Sequence, residues 1–345
     1  MQPRVTVLIP VKNGMPYLRQ TLASLAGQTW RDFEVMLWDN GSTDGTVDQA
    51  RRWIPRLLPG RVVADRPLPL GLCRATMVEQ ARTELIAWAD ADDLFTPDRL
   101  ERQVTRIISD PSIGVVGSRL RYITRDGRPM AGEYSVPLDD AEVRWSMRFR
   151  VSLVQGTALF RRSAVLQAGG YRDLKPAQDY DLWVRLASSA AMVNLPEALL
   201  LYRQHEASVT AQSRPIARRM VQRIVRDHAE QMFPGLSVEQ ALRLRRLLQR
   251  GCPEDAHWSD LLALWRTAGR AARAIGQPPG YFRRTDEFTS QWRRLLRMWA
   301  RGWPGAQPVW RAVKRLRRMA GRPQQVPAPL PWPKQTSHAL GRRSA

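Results

Sequence analysis

Cysteine is almost absent. Cys73 and Cys252, the only two in 345 residues, lie in opposite halves of the chain. That excludes a disulfide-stapled scaffold and a cysteine-ligated metal site, and it points to a reducing cytosol. Long apolar runs are also missing: the best, Ala187 to Leu201, is interrupted by Asn194, Pro196 and Glu197, so no membrane-spanning helix is expected. The N-terminus enters a strand-like apolar stretch at once, without a basic leader or a small-residue cleavage site, and does not read as a signal peptide. Lysine is scarce, four residues (Lys12, Lys175, Lys314, Lys334) among 54 basic side chains. Arginine therefore carries nearly all the positive charge, a bias that a GC-rich genome produces without selection for binding. Acidic residues are short in one region only: residues 1–210 hold 27 basic and 24 acidic side chains, residues 211–345 hold 27 and 8. The formal charge of +22 thus resides almost wholly in the C-terminal part.

What is present is enough apolar residue, 43%, for a sizeable core, so disorder of the whole chain is excluded. Val5 to Ile9 is a β-branched apolar run that stops at Pro10, the pattern of a strand buried on both faces. Leu18, Leu22 and Leu25 then recur at helical spacing before Gly27. Phe33 to Trp38, Val62 to Ala64 and Leu85 to Ala89 predict further strands, with helices over 47–58 and 73–83 between them. This alternation predicts an α/β fold, a Rossmann-like, mostly parallel sheet with helices on both faces. A helix capped by Thr96 is expected to run to about Ile108, and strands over 115–124, 157–160 and 198–203 alternate with helices over 141–150 and 179–187. Beyond residue 210 the pattern becomes arginine-rich and amphipathic, and from 322 proline-rich. No internal repeat is evident. The expected organisation is a catalytic domain over 1–210, a basic helical extension over 211–321 and a flexible tail over 322–345.

In open α/β sheets, ligands bind at the carboxyl ends of the strands. The polar clusters fall there: Asn13 after the first strand, Asp39 after the second, and Asp90, Asp92 and Asp93 after the Leu85–Ala89 run. Three aspartates in four positions repel one another unless a cation sits among them. Mg²⁺ or Mn²⁺ suits such a loop, because these ions take a few carboxylate oxygens and complete the shell with water and phosphate. Asp93 either joins that cluster or caps the following helix.

Four segments, Val5 to Gly14, Trp38 to Gly45, Ala87 to Asp93 and Gln178 to Trp183, resemble in order the signature segments of family 2 glycosyltransferases, inverting enzymes of the GT-A fold. The likeness spans about residues 3–210. It implies a nucleotide-diphosphate-sugar donor and a glycan or lipid-linked acceptor. By that resemblance Asp39 receives the nucleotide base, Pro10, Val11 and Asn13 line the same pocket, Asp90 faces the ribose and Asp92 the metal. Arg74 is a second cation for the diphosphate. Asp179 is the base, although Gln178 stands where the family usually has Glu. His205, in Tyr202-Arg203-Gln204-His205, matches a residue that can complete the metal shell. Gly156 and Thr157 match the small-residue segment on the acceptor side, and Trp183 is either an acceptor wall or core. Asp181 reads as a carboxylate at a helix N-terminus.

Two C-terminal segments pair an apolar stripe with arginine. Phe288, Trp292, Leu295, Leu296 and Trp299 share a helix face, and Trp310, Val313 and Leu316 repeat the design. Basic amphipathic helices of this kind suit an anionic membrane surface, and the same stripes suit packing on the catalytic domain. The expectation is a cytoplasmic enzyme, peripheral on the inner face of the cytoplasmic membrane. A nucleic-acid-binding protein leaves the aspartate rim unexplained. A nucleotidyltransferase lacks its glycine-rich phosphate loop, since Pro10 to Gly14 contains a single glycine.

Overall fold

The computed structural model describes residues 4–15, 17–206, 213–250 and 256–302. Its centre is a nine-stranded sheet: β1 (Val5–Val11), β2 (Phe33–Asp39), β3 (Gly60–Ala64), β4 (Leu85–Trp88), β5 (Leu94–Phe95), β6 (Ile113–Ile123), β7 (Pro129–Tyr134), β8 (Leu159–Arg161) and β9 (Ala191–Arg203). The strand order is β3-β2-β1-β4-β8-β6-β9-β5, with β7 paired to β6 off this path. The chain first winds from β1 outward to β3, then returns to place β4 on the other side of β1. That reversal opens a crevice at the carboxyl ends of β1 and β4.

Parallel ladders carry most of the pairing, as expected, and antiparallel strands complete a mixed sheet. β1 pairs in parallel with β2 and β4, and β2 with β3, but β8 runs antiparallel to both β4 and β6, while β5 and β7 are antiparallel to β9 and β6. β6 and β9 restore a long parallel pair. The chain reaches β8 through the Asp140–Ser146 helix and the Gln155–Thr157 3₁₀ turn, and lays it between β4 and β6 against the direction of both.

Period-two alternation sorts the parallel strands between two cores. Val5, Val7 and Ile9 of β1, Val35 and Leu37 of β2, and Leu85 and Ala87 of β4 face one side. They meet Leu18, Leu22 and Leu25 of α1 (Leu18–Ala26), Ile54 of α2 (Thr46–Leu57) and Leu100, Val104 and Ile107 of α4 (Arg99–Ile108). Leu8, Met36, Trp38, Ile86 and Trp88 face the other side, against α3 (Leu70–Gln80), α5 (Asp140–Ser146), α6 (Arg162–Gln167) and α7 (Gln178–Leu186). α4 begins at Arg99, later than the expected Thr96 cap.

The second core continues into the helices beyond residue 210: α8 (Arg214–Asp227), α9 (Ala229–Met232), α10 (Val238–Arg250), α11 (Trp258–Ala274) and α12 (Asp286–Gly302). Trp145 of α5 lies 5.6 Å from the ring of Phe282 and 5.3 Å from that of Phe288, and its indole N–H donates to Gln291. Phe288, Leu295 and Met298 of α12 are buried in this core. The apolar stripe that the sequence offered to a bilayer is therefore occupied inside the protein. Residues 4–302 pack as one unit, so the expected boundary at about residue 210 marks a change of element type rather than a break in packing. The second amphipathic segment, Trp310 to Leu316, and the 322–345 tail lie outside the described residues. Among the described residues, no helix is long and apolar enough to cross a membrane.

Candidate active site

The loops after β1 and β2 are clasped together. Asn13 takes a left-handed φ of 56°, which Asn tolerates better than most residues. Its Oδ1 accepts the N–H of Thr43 at 2.8 Å, and its own N–H donates to Ser42 Oγ at 2.7 Å. Asn40 donates from its own N–H to the Val11 carbonyl, and its side chain exchanges two hydrogen bonds with the backbone of Leu68. Between these clasps sits Asp39. Its Oδ2 accepts the N–H groups of Gly41 and Ser42 at 3.0 and 3.1 Å, while Oδ1 is buried without a partner. A buried acceptor left open is costly unless a ligand completes it. Pro10 is half-buried and Val11 buried at the end of β1, on the same crevice.

The aspartate loop after β4 is held from both sides. Arg203, at the end of β9, donates its backbone N–H to Asp93 Oδ1 at 2.8 Å and its Nε to the Asp92 carbonyl at 2.6 Å. Its remaining guanidinium nitrogens reach the Arg125 carbonyl and Gln20 Oε1, and the group lies over the Tyr17 ring. From beneath, the fully buried Arg99 donates to the Trp88 carbonyl at 2.8 Å and to Gln103. Burial lowers the Arg99 pKa, and the charges of Asp90 and Asp93 oppose that. Asp93 does not cap α4, whose N-cap position is Asp98; it is buried, and burial together with Asp92 and Asp90 pushes its carboxyl well up.

Gly156 lies against these carboxylates. A Cβ built there would stand 3.0 Å from Asp90 Oδ2 and 3.7 Å from Asp93 Oδ2, so the small residue leaves room for the rim itself. Thr157 is buried, its hydroxyl donating to the Val154 carbonyl. On the open side, Nε2 of His205 lies 2.7 Å from Asp92 Oδ2, and its ring packs 5.1 Å from Tyr17.

Arg74 of α3 comes within the field of Asp179 of α7 because the loop before α7 packs on the start of α3. A Cβ on Gly71 would fall 2.2 Å from the Arg172 carbonyl oxygen. Arg74 Nη2 is 3.8 Å from Asp90 Oδ1, its guanidinium faces the Trp88 ring at 5.5 Å, and its buried Nε has no partner. Burial raises the pKa of Asp179; Arg74 and the Tyr180 N–H, 2.8 Å from Oδ1, work against that rise. Burial also raises the pKa of Asp90, with Arg74 pulling it down and Asp92 and Asp179 pushing it up. One cation therefore sits within electrostatic reach of two carboxylates from distant parts of the chain.

Trp183 falls outside the site, and Asp181 holds the place in the first turn of α7 that was expected of it. Trp183 is 1% exposed and belongs to the core, so the acceptor-wall alternative is replaced by the core one. Asp181 is buried in an ion pair with Arg185 and a 3.2 Å contact with His228. Gln178 is buried with its Oε1 unpartnered. Arg99 and Arg203 escaped the sequence reading. The signal for Arg99 was the polar pair Arg99 and Gln103, four apart on a helix whose apolar face is Leu100, Val104 and Ile107. Arg203 stands within the Tyr-Arg-x-His segment already singled out.

Among the described residues, no three His, Cys, Asp or Glu side chains converge as a metal cage. Asp92 with His205 still supplies two adjacent donors on an open face. That suits a divalent cation of the Mg²⁺ or Mn²⁺ type, whose other ligands come from water and substrate phosphates.

Residues 6–168 match the sequence model of the family described as Glycosyl transferase family 2. The amylovoran biosynthesis glycosyltransferase AmsE of Erwinia amylovora is 29% identical over 189 residues, 54% of this chain and 70% of the relative. The O-antigen biosynthesis glycosyltransferase WbnJ of Escherichia coli is 26% identical over 210 residues, 59% of this chain and 81% of the relative. Among solved structures, S. aureus TarS 1–349 in complex with UDP-GlcNAc is similar with a TM-score of 0.57 and 17% identity, over 87% of this chain and 92% of that one. The mannosyltransferase PcManGT from Pyrobaculum calidifontis, in complex with GDP-Man and Mn²⁺, gives 0.53 and 21%, over 88% and 87%. At those identities the structures share a fold with this chain.

Proposed function

We propose that this chain, which belongs to glycosyl transferase family 2 and has the GT-A fold, is an inverting enzyme of polysaccharide biosynthesis. It moves a sugar from a nucleoside-diphosphate donor to an acceptor hydroxyl. The observation that supports this reading is Arg74, 3.8 Å from Asp90 and within the field of Asp179, on the loop rim that also carries the Asp92–His205 pair. Solved relatives bound to UDP-GlcNAc or to GDP-Man with Mn²⁺ agree with a nucleotide-sugar donor.

The open Oδ1 of Asp39 accepts an N–H of the nucleotide base, and Pro10, Val11 and the Asn13 clasp shape that pocket. Asp90 faces the ribose. Asp92 and His205 hold the divalent cation, which neutralises charge on the leaving diphosphate when bound. Arg74, with its free Nε, takes up charge on the same diphosphate as the bond from the anomeric carbon to its oxygen breaks. Asp179 removes the acceptor hydroxyl proton while that oxygen forms the new bond to the anomeric carbon from the opposite face. Gly156 keeps the carboxylate side of the pocket open. The acceptor is a growing glycan, free or lipid-linked.

The test is transfer activity against a panel of nucleotide sugars, with the anomeric configuration of the product read by NMR. Asp179→Asn is expected to lower kcat by about 10²- to 10⁴-fold, the range of a lost general base, while nucleotide binding persists. Undiminished turnover in that variant, or a product that keeps the donor's configuration, overturns the reading.

A further inference from the structure

Burial of the α12 stripe leaves the charge of the C-terminal part without an assigned role, and α11 presents a different surface. Trp258 and Trp265 are 62% and 41% exposed, seven residues apart and so on the same side of the helix. Half-buried Leu262 lies between them. Arg266, Arg270 and Arg273, all exposed, follow the neighbouring strip of the same helix. The single carboxylate of α11, Asp260, is buried and paired with Arg243, so it does not offset them. Arg283 stacks 3.8 Å over the Trp265 ring, and Trp292 packs 5.4 Å from the same ring, which widens the aromatic edge. The result is one exposed face with an indole edge beside a basic edge.

We propose that this face docks on the headgroup layer of an anionic bilayer. Indole rings combine an apolar body with an N–H and favour the boundary between acyl chains and headgroups. Guanidinium groups alongside pair with lipid phosphates at the same depth. The charge argues for this occupant: residues 211–345 hold 27 basic against 8 acidic side chains. A second copy of the chain would bring the basic strip against itself. A nucleic acid would engage the arginines, yet leave Leu262 and the tryptophans as an unused apolar edge. The proposal stands apart from the transfer chemistry and survives or fails without it.

The experiment is co-sedimentation of the full chain with vesicles of phosphatidylcholine alone and of phosphatidylcholine mixed with phosphatidylglycerol. The parent is expected to partition onto the anionic vesicles and not the neutral ones. R266Q/R270Q/R273Q should weaken that partition about a hundredfold, from roughly 1 kcal/mol for each basic residue at the surface. W258S should weaken it about tenfold while its thermal unfolding matches the parent's, since Trp258 is the more exposed indole. W258S/W265S should weaken it further. Equal partition of parent and variants overturns the assignment. So does binding to a polynucleotide in place of vesicles, or self-association that the tryptophan variants abolish while no chain reaches the vesicles.

Discussion

Arginine is buried at the aspartate rim and in the core that meets the helical extension on different terms. At the rim, Arg74 and Arg99 lie within the field of Asp90, with Asp179 or Asp93 as second neighbours, and Arg203 braces the loop that carries Asp92 and Asp93. In the core that α5 shares with the extension, Arg148 has no carboxylate against it among the described residues. It donates to the carbonyls of Met232 and Arg144 at 2.5 and 2.6 Å and lies over the rings of Trp145 and Phe282. A guanidinium can thus be buried by acceptors and aromatic faces alone. Counter-carboxylates at the rim are not required to bury an arginine; they are there for what the carboxylates do, and the arginines make their crowding tolerable.

The largest effect that would break this contrast is at Arg99. Arg99→Met leaves buried Asp93 and half-buried Asp90 with less compensation, and removal of one partner from a buried charge cluster costs about 3–5 kcal/mol. Urea unfolding of the variant should show that loss, whereas Arg266→Gln on exposed α11 should stay within about 0.5 kcal/mol of the parent. A stable Arg99→Met protein would mean that the rim carboxylates are neutral in the folded protein and need no cation beneath them.

Next in size is Arg74. In the proposed role of Asp179 as base, which requires its deprotonated form, turnover falls as pH drops through its pKa, which burial has already raised and which Arg74 holds back. Arg74→Met removes that restraint and lifts the pKa further. The acid limb of kcat/KM should therefore move to higher pH, and the maximum should fall by about 10- to 100-fold as the diphosphate loses a cation. Arg74→Lys should keep the limb near its original position. An unmoved acid limb in Arg74→Met would separate Arg74 from Asp179.

Much of this was legible in the sequence, for reasons of period and place. Continuous apolar runs marked β1, β2 and β4 as buried on both faces, and the acidic residues just beyond them marked the rim. The antiparallel half was not legible. β7 is exposed from Pro129 to Glu133, and its Pro-Met-Ala-Gly-Glu sequence shows no alternation; β5 is two residues long. Nothing local states that β8 returns between β4 and β6. The stripe on α12 showed that one face is buried but not against what, because bilayer and protein core select the same residues. Trp183 was ambiguous for the same reason. Arg99 was hidden by its charge, since a buried arginine is rare unless paired and nothing in the sequence says that α4 turns it back under the loop of Asp90 and Asp93.

The smallest effect tests whether the two regions are one body. Arg245 of α10 donates to the Tyr180 hydroxyl at 3.0 Å and to the Arg148 carbonyl, and the Tyr180 hydroxyl donates in turn to the Met147 carbonyl at 2.7 Å. It joins the extension to the helix that carries Asp179. Arg245→Met forfeits two hydrogen bonds at a buried site, while Tyr180 keeps its own bond to Met147, so a loss of about 1–3 kcal/mol is expected. Because both regions share one core, the variant should still unfold in a single transition, with far-ultraviolet ellipticity and tryptophan fluorescence coinciding at a lower urea midpoint. Two separated transitions would show that the bond, rather than the shared core around Trp145 and Phe282, is what couples the extension to the sheet.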